Sequence, residues 1–384
     1  MIESPGAVFA SLCGIAAFFF WVEKATGWKL FRYIVPLIWI YATPVVLRNV
    51  GILPEASPVY DLLQVYALPM IITLLLLSVD VGKAIRVMGK GVLVMLLGTA
   101  GVVLGAPIGF VAVKHWLAPD AWKGFGALAG SWIGGTGNLA ATAAMLETPP
   151  EQFGLAVLAD TVIYVGWLPL LLLSKNLAGP FNRWTRVETG RVERMERVLA
   201  EETVEERPAS FRDYVYLLAL ASGVTWFAAW AGGRLPEIEP VITTSTWTIL
   251  IVTTLGILLS FTPAKRIPAS HELAMGLLYV FVARMGAMAS LSGLAQAPAF
   301  LLGTAIWISV HGIFCLAGAW LFRVDVHSAA IASAANIGGA ASAPVVAAFH
   351  RESLVPASIL MALLGYAMGN YLGWLTGQLC RLVA

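Results

Sequence analysis

Two charged side chains stand inside long apolar runs of this sequence. Asp160 lies in "GLAVLADTVIYVGW" and Arg284 in "AMGLLYVFVARMGAMASL". An ionisable group at such depth is costly, and it faces a partner, a cavity or a ligand. The Asp160 carboxylate suits cation or proton coupling, since it can hold a cation or be protonated in its place. Its alternative role is a structural partner for a neighbouring helix. Arg284 keeps its proton, so it must meet an internal partner such as Asp160 or an anionic group on a solute. Oxygen-bearing residues gather around two Gly-Gly pairs. Ser131, Thr136 and Asn138 flank the first, with Gly134, Gly135 and Gly137, in "GSWIGGTGNLAATAAM" (130–145). Ser333, Asn336 and Ser342 flank the second, with Gly338 and Gly339, in "ASAANIGGAASAPVVAAF" (332–349). Thr161 and Asn370 stand on the apolar segments that follow.

Side-chain oxygens of these types, joined by backbone carbonyls, suit a hard cation such as sodium. The same residues also cap broken helix ends. Asp160, Asn138 and Asn336 are the expected metal-ion ligands, and Asp160, Thr161, Ser131, Ser333 and Asn370 the expected ion-coupling set. Gly134, Gly135, Thr136, Gly137, Asn138, Arg284, Asn336, Gly338, Gly339 and Ser342 are expected to touch a small solute. No cofactor is expected beyond a coupling ion, sodium or a proton. His311, in "AIWISVHGIFCLAG", suits a helix–helix hydrogen bond better than a proton relay. No HExxH, GxSxG or P-loop string occurs, and no Cys/His cluster has metal spacing, so an enzyme is not expected. Nor is there a basic, aromatic-interleaved patch for nucleic acid.

The elements that must carry these residues follow from composition. The 384 residues are 59% hydrophobic and 12% charged, with mean hydropathy +0.81. A soluble domain carries about 25% charged residues. Apolar runs of roughly 20 residues, the length that crosses a hydrocarbon core, recur near 5–22, 33–51, 59–79, 91–114, 124–146, 152–174, 212–231, 241–261, 270–293, 297–322, 328–349 and 354–380. The fold class is therefore an all-α polytopic membrane protein. The N-terminal run has no positive n-region and reads as a first span, not a cleaved leader. A charged stretch over 179–211 reads as a cytosolic linker between a first repeat, 1–178, and a second, 212–384.

The halves repeat one another. "LLGTA" occurs at 96–100 and 301–305, "IGG" at 133–135 and 337–339, and "YVGWL" at 164–168 answers "YLGWL" at 371–375. Internal repeats in a membrane protein point first to transporters. If every apolar segment crossed, basic loops would fall on both sides, against the positive-inside rule. The conflict vanishes if the segments at 124–146 and 328–349 enter and leave on one side. Then 18 Lys and Arg lie inside and five outside (Arg48, Lys114, Lys123, Arg234, Arg381), with Arg284 in a span. Each half becomes five crossings plus a re-entrant hairpin, ten crossings in all. Five is odd, so the halves are inverted and the N-terminus is outside. Non-helical backbone at membrane depth survives only where protein or a water-filled cavity satisfies it. Crossed broken helices would offer similar chemistry, but the charge parity fits hairpins better.

These strings also resemble a known family. "SAANIGGAASAPVVAAFHRESLVPASILMALLGYAMGNYLGWLTG" (333–377), with "GSWIGGTGN" and "LADT" in the first half, resembles the YjcL-like bacterial membrane family, catalogued as domain of unknown function 819. The resemblance covers nearly the whole chain. It implies membership of the cation:proton antiporter and anion-transporter superfamily, and so an inverted-repeat secondary carrier of the elevator type in the bacterial inner membrane. It supplies no substrate. The "GGTG" at 134–137 is similar to the re-entrant GGxG loops of glutamate:sodium and citrate:sodium symporters, whereas the second half has "GGAA" at 338–341. The expected function is cation-coupled transport, sodium favoured, of a small anionic organic solute. A sodium/proton antiporter, a pore or a non-transporting scaffold are the competing readings. The expected partners are that solute, the lipid bilayer and a second copy of the chain, joined through 33–51 and 241–261.

Overall fold

The computed structural model describes residues 2, 4–28, 31, 36–188, 190, 193, 195, 197–198, 207–238, 241–289 and 295–384. Among these residues the structure is helical, and extended chain is confined to one bridge between Ile238 and Ile242. The first half supplies α1 (Pro5–Thr26), α2 (Pro36–Asn49), α3 (Pro58–Leu77), α4 (Val81–Met88), α5 (Lys90–Val113), α6 (Ala121–Gly134), α7 (Thr136–Met145) and α8 (Pro150–Ser174). A short α9 (Ala178–Thr185) opens the linker, of which 199–206 and several single positions lie outside the described residues. The second half supplies α10 (Phe211–Gly232), α11 (Thr244–Ser260), α12 (Ser270–Met288), α13 (Ala297–Phe322), α14 (Val326–Ile337), α15 (Gly339–His350) and α16 (Val355–Leu382).

Seven helical segments among the described residues are long and apolar enough to cross a membrane. They hold α1, α3, α5, α8, α10, α13 and α16, and they make the chain a multi-pass α-helical membrane protein. Ten such spans are expected from the sequence, and three helices account for the difference. α2 has 14 residues and α11 has 17, short of the roughly 20 that span a bilayer unaided. α12 has 19 residues but carries His271, Glu272 and Arg284.

Packing repeats with the halves exchanged. α1 lies on α2 and α12, while α10 lies on α11 and α3. α2 meets α12 as α11 meets α3. α5 and α13, the helices that share "LLGTA", pack along each other. Two bundles result. One joins α1–α3 to α10–α12 through an apolar core that includes Leu12, Ile40, Ile71, Val252 and Phe281. The other joins α5–α8 to α13–α16 around Met95, Ile331 and Met361 and around Phe125, Trp132 and Trp307.

Glycine spacing sets the distances in the second bundle. Gly365, Gly369, Gly373 and Gly377 recur every fourth residue of α16, which places them on one face. They lie against Gly126, Gly130 and Gly134 of α6: a Cβ on Gly373 would sit 2.9 Å from the Gly130 Cα, and one on Gly126 would sit 2.7 Å from the Gly377 Cα. Small residues let helices in lipid approach backbone to backbone, where dispersion contacts replace the missing hydrophobic drive. Gly98, Gly101 and Gly105 of α5 do the same for α13, and Trp307 there donates its indole N–H to the Val102 carbonyl at 2.7 Å.

Candidate functional site

α6 and α7 are the arms of one helical hairpin, and α14 and α15 are the arms of a second. With 14, 10, 12 and 12 residues, the arms are about 15–21 Å long, too short to cross ~30 Å of hydrocarbon. The bases of each hairpin close on themselves. At the first, the Lys123 ammonium donates to the Glu147 carbonyl at 3.2 Å and the Thr148 hydroxyl to the Lys123 carbonyl at 3.4 Å. At the second, His350 Nε2 donates to the Leu171 carbonyl at 2.9 Å. That leaves its Nδ1 as acceptor for His327 Nδ1–H at 3.0 Å. Each pair of arms thus starts and ends close together.

The breaks fall on the repeated glycines. Gly135 has φ 83° and ψ −173°, and Gly339 has φ 59°; both are conformations in which a Cβ is strained. The breaks touch, since a Cβ on Gly339 would lie 3.4 Å from the Gly135 Cα. Two segments separated by about two hundred residues in the chain thus meet tip to tip inside the second bundle.

α8 and α16 flank the paired tips. Along α8, Asp160, Tyr164 and Trp167 share one face. Asp160 accepts from the Ser131 hydroxyl at 3.0 Å and from the Trp132 indole at 2.9 Å, both on α6. Tyr164 and Ser342 of α15 both stand against Gly338. Trp167 donates to Ser333 of α14 at 3.0 Å. On α16, Tyr366 packs its ring beside Gly135 and Gly339. Its carbonyl takes the Asn138 amide at 3.0 Å. Asn138 also donates to Asn370 at 2.8 Å, and Asn370 donates to Thr253 of α11 at 2.8 Å. A hydrogen-bonded chain therefore runs from the first tip through α16 to the other bundle. In the second hairpin, Asn336 donates to the Thr99 hydroxyl at 2.7 Å, while its buried Oδ1 has no donor among the described residues.

The family model described as "Protein of unknown function (DUF819)" matches residues 10–383. The chain belongs to this family. It is also 29% identical over 390 residues to the uncharacterized membrane protein YjcL of Bacillus subtilis (strain 168), across 97% of this chain and 94% of that protein. Neither description assigns a chemistry, so the family's function has to be read from residues such as these.

The expected site residues fall into two groups. Ser131, Gly134, Gly135, Thr136, Gly137, Asn138, Asp160, Asn336, Gly338, Gly339, Ser342 and Asn370 lie at the tips or on the helices beside them. Gly338 abuts Ser342 and Tyr164, and Gly137 abuts Leu75 of α3. Three others lie apart. Thr161 turns its hydroxyl back to the Val157 carbonyl at 3.0 Å. Ser333 stands one to two turns from its tip, where its own proton serves His311: His311 Nδ1 donates to the Gly98 carbonyl at 2.9 Å, so Nε2 accepts from Ser333 at 2.9 Å. His311 thereby makes the helix–helix hydrogen bonds its place in the sequence suggests. Arg284 is buried in the first bundle, donating Nε to the Tyr60 carbonyl at 2.9 Å. The donors to Asp160 are Ser131 and Trp132, not Arg284.

Three further residues take part without a local signal of their own in the sequence. Trp132, Tyr366 and Thr253 contribute an indole donor, a ring between the tips and a hydroxyl across the bundles. The four-residue glycine spacing of 365–377 is the signal that marks Tyr366 and Asn370, since it identifies the face of α16 that meets the first hairpin.

Proposed function

We propose that this protein is a secondary carrier that moves a small solute with an anionic group, coupled to a cation, by alternating access. The observation that carries this reading is the tip-to-tip contact of two short hairpins at Gly135 and Gly339. Backbone broken inside a membrane protein frees N–H and C=O groups that must be satisfied by protein, ion or solute. The exchanged packing of the halves and the charge parity of the sequence support inverted repeats. The division into two bundles supports an elevator, in which α5–α8 with α13–α16 move against α1–α3 with α10–α12. Such carriers need a fixed frame, which favours a homodimer. The bacterial inner membrane is the setting the charge asymmetry fits.

Asp160 is the charged coupling residue in this reading. A carboxylate removed from water favours a bound cation or proton to offset its lost hydration. Asn336 Oδ1, buried and without a donor among the described residues, is available to the same cation, as are the hydroxyl and amide oxygens of Thr136, Asn138 and Ser342. So many neutral oxygens favour sodium, because a proton needs only the carboxylate. Reconstituted into liposomes, the protein is expected to accumulate at least one member of an amino-acid and carboxylate panel against its gradient. That accumulation follows an inward sodium gradient and collapses when an ionophore dissipates it. If no anionic solute accumulates under either a sodium or a proton gradient, the carrier reading is wrong.

A further inference from the structure

A cavity of about 290 Å³ lies in the seam between the bundles. On one side α7 presents Ala140, Ala143 and Ala144; on the other α12 presents Arg284, Met285 and Met288. Glu147 and Phe153 line it beside the first hairpin. Ligand sites favour such interfaces between units that move. The cavity begins within two residues of Asn138, so it borders the tip that the proposed carrier uses.

Its charges are placed unusually. The Arg284 guanidinium is fixed by one hydrogen bond from Nε to the Tyr60 carbonyl. The Asp61 carboxylate lies near enough for its charge to act on Arg284, but among the described residues no carboxylate forms an ion pair with it. Its planar fork is therefore held in place with donors left for a carboxylate, which it can bind in bidentate fashion. Glu147 offers the opposite charge at the exposed rim, and the Lys123 beside it donates to the Glu147 backbone carbonyl and not to the side chain. Gln64, Thr148 and Ser245 add an amide and two hydroxyls, and the remaining surface is methyl, thioether, pyrrolidine and phenyl.

We propose that this cavity binds an α-amino acid with an apolar side chain, its carboxylate on Arg284 and its ammonium toward Glu147. This inference rests on the carrier reading and names its solute class. A dicarboxylate would bring its second charge against Glu147, and like charges in a partly desolvated site repel. An amine without a carboxylate would leave Arg284 unmet. The volume sits at the lower end of the roughly 300–1,000 Å³ typical of ligand pockets, which suits one amino acid and not a peptide. Three small alanines leave room for the side chain, and the methionines adapt to its shape.

The test is calorimetric binding to the full-length protein in lipid nanodiscs, with leucine, isoleucine, valine, methionine and phenylalanine as probes. At least one should bind. Its deaminated acid and its decarboxylated amine should each bind about 10- to 100-fold more weakly, the loss expected when one charged hydrogen-bonding group is removed. Glu147→Gln should bring the deaminated acid level with the amino acid, and Ala143→Phe, which fills the cavity, should abolish binding of both. Melting temperature and monodispersity report whether each variant is folded. The proposal is overturned if none of the five amino acids binds, if the deaminated acid binds the native protein equally well, or if Ala143→Phe binds normally. Failure here with sodium-driven uptake of some other anion would leave the carrier reading intact. Binding that depends on Arg284 and Glu147, without any uptake of the bound amino acid, would sink the carrier reading and keep the cavity.

Discussion

Asp160→Asn is expected to fold normally and to lose cation-driven accumulation altogether. The substitution keeps the shape of the side chain, and its Oδ1 still accepts the Trp132 indole. The Ser131 hydroxyl, now a donor to Asp160 Oδ2, can rotate to accept from the new amide. Local hydrogen bonding is thus conserved, and stability should change by no more than about 1 kcal/mol, the net value of one ordinary hydrogen bond. The charge, however, is gone. Without it a cation gains no Coulombic partner at the tips, and a proton has no site. Solute should equilibrate across the vesicle membrane but not concentrate, with a steady-state ratio near unity at every sodium concentration and pH. Steady-state uptake in proteoliposomes measures this directly. Should the variant still concentrate solute with an unchanged sodium and pH response, Asp160 is a structural acceptor for Trp132 and Ser131, and the coupling model fails.

Gly135→Ala is expected to slow transport severely and to lower stability by about 1–3 kcal/mol without preventing folding. The glycine's φ of 83° with ψ of −173° lies where an L side chain costs about 1–3 kcal/mol. A Cβ there would sit 3.2 Å from the Tyr366 ring and 3.9 Å from the Gly339 Cα. The added methyl therefore presses on the residue that bridges the two tips. If the tips must meet in the transporting state, even 1.4 kcal/mol of that cost lowers the rate about tenfold. Gly14→Ala supplies the contrast: it lies within α1 and meets nothing within 4 Å of its Cβ. It should transport at the native rate. Initial rates under counterflow distinguish the two, and a native rate for Gly135→Ala would mean that the tips need not close.

The helices and the two breaks could be read from the sequence because their signals are local. Length and apolarity mark a span, and a Gly-Gly pair within a small-residue run marks an interruption. The repeat offsets tie residues such as Gly135 and Gly339 to equivalent places, and the structure brings those two together. What remained hidden was which face of each helix meets which neighbour. Helices apolar all round carry no stripe to show it, so nothing in the sequence marks Trp132 as the residue that donates to Asp160. Arg284 shows the same limit. Its place in an apolar run shows that it needs a partner, but that partner is the Tyr60 carbonyl, and every residue carries a carbonyl. The short α11 reads as a full span because the apolar flank at 241–242 extends the hydropathy run beyond the helix.

The proposed carrier requires that the two hairpins enter the membrane from opposite faces and meet at their tips. Single cysteines in a background lacking Cys13, Cys315 and Cys380 test it without knowledge of the solute. Asp120 precedes α6 and Glu352 follows α15, and both are exposed. In right-side-out vesicles, a membrane-impermeant maleimide should label Asp120→Cys from outside at once. It should reach Glu352→Cys only after the membrane is permeabilised. Labelling of both positions from the same side would contradict the inverted arrangement and the carrier mechanism built on it.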